Sequence, residues 1–411
     1  IREAHRCGGV AIMAHPYLIN EPVSLPEREI SREEYIRRLI EGGLDGIEAC
    51  YSYEKTSYAG SMAAEAIELE VRSRYGNSVR LISGGSDYHA DAKKGAKSPR
   101  LLGECGLTHE EFFRNPVFRG LVADIGRVLN LKLIAVECRK NVLRMIRAGG
   151  HGHVGGALSA MDIVTALYFD KMNVSPEEAD HPDRDRFLLS AGHKCLAQYA
   201  ALAEKGYFAK EVMDTYGALG SKIPGHPDMH KLPGVEANTG ALGHVLSIAA
   251  GMAMAAKLER RRYKVYAICG DGELPEGSNW EAAAAAAKFG LDNLVVFVDN
   301  NGLQISGQVT EVMNMEPIAG KFAAFGWAVA KIDGNDMEEI VKMLDRLPIE
   351  RGKPTLILCH TVKAKGLSFG ENQAGYHFWN ATEELLRQAE EEMEARAEEL
   401  RQEMEAVAYD G

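Results

Sequence analysis

The chain's most telling chemistry is a set of oxygen donors. Asp271 sits in a Gly-Asp-Gly turn, Gly270 to Gly272, and Asn301 closes an Asp-Asn-Asn run 30 residues later. With the carbonyl of Leu303 they offer only oxygen ligands, the preference of a hard cation such as Mg²⁺, and they leave coordination positions for phosphate oxygens. Gly270 and Gly272 let the backbone approach a diphosphate with no Cβ in the way. A plain strand-to-helix turn also uses Gly-Asp-Gly; the second pair of oxygens at the end of the next apolar run distinguishes this one. Four histidines recur in glycine-flanked turns: His153 in GHVGG, His193 in SAGHKC, His226 in PGHPD and His377 in AGYHFW. Imidazoles so placed can bind hydroxyls and move protons near neutral pH, although a single one would more often be structural. Near the start, His15 ends an apolar run, and Asp87 and His89 lie two apart in GGSDYHAD. On an extended segment the latter pair projects to one side, where His15 could join it around a metal. The plainer alternative is that His15 steadies a loop and Asp87 caps a turn.

These residues need elements to hold them. Lys264 to Cys269 and Asn293 to Val298 read as buried strands flanking an alanine-rich helix that starts near Glu276, a βαβ unit. Its right-handed crossover makes the strands parallel neighbours, so Asp271 and Asn301 emerge at one sheet edge. The helix N-terminus adds dipole to an anion bound there. Apolar residues recur at helical spacing from Ile134 to Ile146, ahead of a glycine-rich loop, and Trp327 to Ile332 and Thr355 to Cys359 read as further strands. The expected fold class is α/β, a mainly parallel sheet flanked by helices with ligands at the strands' carboxyl edge. Upstream, residues 8–15 and Leu81-Ile82 read as strands, and Ser31 to Glu41 (with a Ser31/Glu34 capping box) and Ser61 to Tyr75 as helices. A mixed-polarity stretch with Pro116 suggests the boundaries: a front segment 1–115, a linker 116–130, a domain 131–380, and an acidic, solvated terminal helix 381–411.

The net charge of −12 argues against a general nucleic-acid or anionic-membrane binder, which needs clustered Lys and Arg. Seven cysteines, odd in number and without a Cys-x-x-Cys pair, suggest neither a disulfide framework nor a zinc knuckle. The most apolar run, Val245 to Ala256, is too short to span a bilayer, and no signal peptide opens the sequence, so a cytoplasmic location is expected. Ile1 in place of an initiator methionine suggests a sequence that begins within a longer one.

The succession GHVGGALS, DRDRFLLSAGH, GHPDMHKLPGVEANTGALG, GDGELPEG and HTVKAKGLSF, from roughly Leu131 to Trp379, resembles the thiamine-diphosphate-binding domain of transketolases. The resemblance implies thiamine diphosphate and Mg²⁺ as cofactors, with Asp271, Asn301 and Leu303 on the metal. It implies that Gly240 and Leu242 approach the cofactor, that His153, His193, His226 and His377 line the channel to its thiazolium, and that Glu276 communicates across a subunit interface. Read without it, Gly240 to Gly243 are helix-entry glycines and Glu276 is a carboxylate favoured by a helix dipole. The implied reaction is transfer of a two-carbon ketol unit between sugar phosphates. In that family the cofactor lies between this domain and a pyrimidine-binding domain, so the implied partner is a separate carboxyl-terminal transketolase subunit, in a symmetric hetero-oligomer.

The front segment's AHP, GLDGIEA and GGSDYHAD resemble the carboxyl-terminal half of the PHP (polymerase and histidinol phosphatase) family of metal-dependent phosphoesterases. That resemblance implies a partial, barrel-like α/β fold with His15, Asp87 and His89 as metal ligands. The family's first metal motif, His-x-His, is absent from the front segment, so a truncated remnant with little or no hydrolase activity is expected. Rival readings are an α-type subunit of a 2-oxo acid dehydrogenase, a PHP phosphoesterase whose thiamine-like domain is an inactive or regulatory partner, and a non-enzymatic assembly subunit.

Overall fold

A computed structural model describes residues 1–6, 9–19, 21–26, 28–56, 58–85, 105, 107, 111, 112 and 115–409. The chain divides into two units, Ile1–Ile125 with Val407–Gly411, and Gly126–Ala406.

In the first unit, β1 (Ile12–Met13), β2 (Gly46–Tyr51) and β3 (Leu81–Gly85) form a parallel sheet in that order. Between them run α1 (Arg32–Glu41) and α2 (Ala64–Tyr75). Helix α1 starts where Ser31 Oγ accepts the Glu34 N–H at 3.1 Å, the bond the sequence predicts. Ile36, Ile67 and Val71, fully buried on the inner faces of the two helices, pack with Ile47 and Tyr51 of β2. Three parallel strands with helical crossovers fit the expected α/β texture. Among the described residues the sheet stays open rather than closing into a barrel.

The segment read as a linker, 116–130, is instead the first half of a long helix, α3 (Pro116–Gly149), and the division between units falls inside it. Proline fits the first helical position because its missing N–H needs no partner there, and Asn115 Oδ1 accepts the Val117 N–H at 2.8 Å. The sequence reading took Pro116 for a breaker when it is a start.

The second unit is built on five parallel strands. In chain order these are β4 (Arg186–Leu189), β5 (Val265–Gly270), β6 (Leu294–Asn300), β7 (Ala328–Asp333) and β8 (Thr355–His360). Their order across the sheet is β7-β8-β6-β5-β4. Every residue of β5 and nearly all of β6 is buried, as unbroken apolar runs should be in a parallel sheet covered on both faces. Helix α4 (Val245–Leu258) and helix α5 (Gly277–Lys288) cover one face, with Ala253, Ala283 and Ala286 fully buried against Val265, Val296 and Val298. Small side chains let these helices approach the sheet closely, which explains the alanine run. The register pairs Gly270 with Asp299 across β5 and β6, and Asn300 with His360 across β6 and β8. The carboxyl ends of the three central strands therefore open on one edge.

The terminal helix α6 (Glu383–Tyr409) is not solvated all round, as its glutamates suggest. Leu386, Ala389, Met393, Ala397 and Leu400 are buried, at spacings of three and four that form one stripe. Arg147 adds ion pairs to Glu383 at 2.7 Å and Glu390 at 2.9 Å. Among the described residues, no helix is long and apolar enough to cross a membrane.

Candidate active site

One cavity of about 380 Å³ at the carboxyl edge of β5 and β6 gathers most of the residues picked from sequence. His153, His193, His226, His377, Leu242, Gly270, Asp271, Gly272, Asn301 and Leu303 all line it. Gly240 stands directly behind His226: its φ of +136° requires glycine, and a Cβ there would lie 2.7 Å from His226 Cδ2. Glu276 does not reach the cavity. It is exposed at the N-cap of α5, and its Cβ lies where a side chain on Gly243 would have to go.

The oxygen set is built by the two turns. Asp271, 3% exposed, accepts the Gly272 N–H at 2.8 Å with Oδ1 and the Gly302 N–H at 2.7 Å with Oδ2. Asn301 Oδ1 accepts the Leu303 N–H at 3.1 Å, while its amide donates to Ser159 Oγ and Asp299 Oδ2, both at 3.3 Å. That arrangement fixes which end of the Asn301 amide serves as acceptor. Burial, with Asp299 nearby, pushes the Asp271 carboxyl up to about 6. A buried carboxylate beside a second one, with an amide oxygen and a carbonyl at hand, is a donor set suited to a hard divalent cation. Gly270 and Gly272 leave the backbone bare beside it.

Two lysines and a glutamate that the sequence reading passed over complete the cavity. Lys194, 4% exposed, donates to Asp299 Oδ2 at 2.5 Å, and Asp299 also accepts from Ser159 Oγ at 2.6 Å and from Thr361 Oγ1. Burial works against the Lys194 ammonium, but Asp299 more than offsets it and holds the charge. Lys363 Nζ donates to the Leu303 carbonyl at 3.0 Å and lies 3.2 Å from His377 Nδ1. Burial, then Lys194, pulls its ammonium down to about 8. Glu273, rather than Glu276, is the buried carboxylate of the turn: it accepts from Gly270 N at 2.8 Å, Ser190 Oγ at 2.7 Å and Gly243 N at 3.0 Å. It thereby ties the turn after β5 to the end of β4 and to the Gly240–Gly243 loop. Its signal was present in the GDGE wording, next to the aspartate that drew attention.

The histidines form a ring-to-ring cluster. Centroids lie 5.1 Å apart for His153 and His193, 5.0 Å for His193 and His377, 5.5 Å for His153 and His377, and 6.4 Å for His153 and His226. Burial and then Lys194 pull His193 down to about 2, and burial and then Lys363 pull His377 to about 4. Burial lowers His153 as well, helped by His226. These three rings are therefore neutral at neutral pH, each with one nitrogen to donate and one to accept. They can donate to and accept from hydroxyls.

Among its described residues the front segment supplies no comparable centre. His15, left-handed at φ 32°, puts its ring 4.8 Å from that of Tyr51, and its backbone N–H donates to Glu48 Oε2 at 2.6 Å. Asp87 and His89 lie outside the described residues. Among the described residues no cluster of three or more His, Cys, Asp or Glu could hold a metal.

A family model described as transketolase, thiamine diphosphate binding domain, matches residues 132–400. The chain is 43% identical over 277 residues to an apulose-4-phosphate transketolase subunit of Phocaeicola vulgatus, covering 67% of this chain and 98% of the relative. It is 43% identical over 266 residues to a 6-deoxy-6-sulfo-D-fructose transketolase subunit of a Clostridium species, covering 65% and 97%. Among solved structures, the transketolase of Campylobacter jejuni superposes with a TM-score of 0.60 at 29% identity, over 68% of this chain and 48% of that one. The chain thus spans nearly the whole of these two subunits and about half of the solved transketolase.

Proposed function

Because the chain belongs to the transketolase family, through its thiamine diphosphate binding domain, we propose that it is the diphosphate-binding subunit of a two-subunit, cytoplasmic transketolase. It would transfer a two-carbon ketol unit from a ketose phosphate to an aldose phosphate, working with a partner subunit that carries the pyrimidine-binding domain. The observation that carries this reading is the convergence of Asp271, Asn301 and Leu303 with four histidines around one cavity. The near-complete alignment with two relatives that are themselves named as subunits supports the split organisation.

In this reading Asp271, Asn301 and the Leu303 carbonyl hold Mg²⁺, and the bare backbone at Gly270 and Gly272 faces the diphosphate. Thiamine diphosphate, when bound, supplies the electron sink that lets a carbon–carbon bond break beside a carbonyl. The protein's share is position and charge. Lys194 and Lys363 place two cations against an anion that brings more negative charge into a buried site. The neutral His153, His193 and His377 bind sugar hydroxyls, each offering one N–H donor and one acceptor nitrogen, which a permanently charged imidazolium could not. Calorimetry tests the assignment: thiamine diphosphate should bind only in the presence of a divalent cation, and Asp271→Ala should abolish the metal-dependent part. Equal binding without metal would overturn it.

A further inference from the structure

A second cavity, of about 450 Å³, lies within the Gly126–Ala406 unit and shares no lining residue with the histidine site. Val136, Met337, Met393 and Leu400 give it an apolar wall. Its polar groups are unequally satisfied. Three carboxylates reach it, and each is already held. Asp162 accepts two Arg139 N–H groups at 2.9 and 2.7 Å and the Asn335 amide at 2.9 Å. Glu371 accepts the Gly366 N–H at 3.0 Å and pairs with Lys365 at 3.2 Å. Glu392 accepts from Ser368 N at 3.0 Å, Ser368 Oγ at 2.5 Å and Gln388 at 2.8 Å.

Those contacts occupy Arg139 and Lys365 as well. Two cations remain on the cavity's lining. Lys132, half-buried, is paired with none of the described residues. Arg396 meets Glu399 at 2.8 Å and Glu403 at 3.6 Å, but the three side chains are 45%, 63% and 49% exposed, and ion pairs in that setting are weak and yield readily to a better partner. The unspent capacity of the cavity is thus cationic, above an apolar wall, within the size range of small-molecule sites.

We propose that this cavity binds a small organic anion: a doubly charged head, phosphate or carboxylates, held by Lys132 and Arg396, with a short carbon skeleton against Met337 and Met393. A charge-assisted contact from each side chain fixes the head, and the methionines adapt to the skeleton. The proposal stands apart from the thiamine reading, since none of its residues belongs to that site.

Calorimetric titration of the full chain with glycerol phosphate and, separately, succinate provides the test. One of the two should bind with a dissociation constant of roughly 1 mM or below. Tighter binding of glycerol phosphate assigns a phosphate ester, and tighter binding of succinate a dicarboxylate. The double variant Lys132→Met/Arg396→Met should weaken that binding by about tenfold or more with an unchanged urea midpoint, since both side chains are partly exposed and support no buried contact. Lys132→Arg/Arg396→Lys should restore it. Failure of both anions to bind would overturn the proposal, and so would binding that persists undiminished in the double methionine variant, which would place the anion elsewhere.

Discussion

Replacing Asp271 by asparagine should separate the cost of the proposed metal site from its use. In the folded protein the Asp271 carboxyl is pushed up to about 6 from an ordinary 3.8, chiefly by burial and then by Asp299. A folded value above the unfolded one means that ionisation favours the unfolded chain. The stability associated with this group is fully present below about pH 3.8 and is lost as pH rises through 6. At 1.36 kcal/mol per tenfold difference in proton affinity, the metal-free protein at pH 7.5 carries a penalty of about 3 kcal/mol. Asparagine removes that penalty but turns an N–H group toward one of the two backbone donors, Gly272 N or Gly302 N, which costs about 1–2 kcal/mol. In chelator-containing buffer, urea unfolding from pH 4 to 7.5 should therefore show the Asp271→Asn protein gaining on the parent by up to about 3 kcal/mol as pH rises, and ending slightly more stable. Adding Mg²⁺ with thiamine diphosphate should stabilise the parent and leave the variant unmoved. Profiles that run parallel between pH 4 and 7.5 would refute the claim that this carboxylate is held against its preference for want of a cation.

Three further outcomes can be checked separately. Lys194→Met leaves Asp299 buried without its cation and should cost about 3–5 kcal/mol in urea unfolding, part of which Asp299→Asn should recover in the double variant; a loss below about 1 kcal/mol would mean the pair is dispensable. Leu400→Ala, at a 1% exposed position, should cost about 2–4 kcal/mol if helix α6 packs by its apolar stripe, against less than about 0.5 for a solvated helix. The purified chain with Mn²⁺ should turn over a chromogenic phosphoester no faster than buffer; robust hydrolysis that is lost in His15→Ala would restore the metal centre the front segment's motifs imply.

What the sequence made legible follows from how local each signal is. Asp271 and Asn301 were readable because each closes an apolar strand, and the parallel crossover then dictates where they meet. The histidines were readable because glycines mark their loops. Lys194 and Lys363 were not, since their partners stand 105 and 60 residues away and a lysine in a loop ordinarily faces water. Ser159, at the end of the helix Val154–Ser159, and Thr361, just beyond β8, hold Asp299 from elsewhere in the chain and were hidden for the same reason. The terminal helix was misjudged for a different one: its buried stripe was visible in the spacing, but glutamates dominate its composition. Pro116 was a matter of sign, as proline ends a helix it interrupts and begins one it opens.

The most direct test of the central claim is a coupled assay of ketol transfer, run on this chain alone and on the chain mixed with a second polypeptide that carries a pyrimidine-binding domain. In the proposed reading the histidine-lined cavity supplies the diphosphate anchor, with Asp271 and Asn301 on its lining, and the partner supplies the groups that meet the aminopyrimidine ring. The mixture should show turnover dependent on both thiamine diphosphate and Mg²⁺, the chain alone none above background, and the Asp271→Ala mixture none. Full turnover by the chain without a partner, or a mixture indifferent to Asp271, would contradict the account.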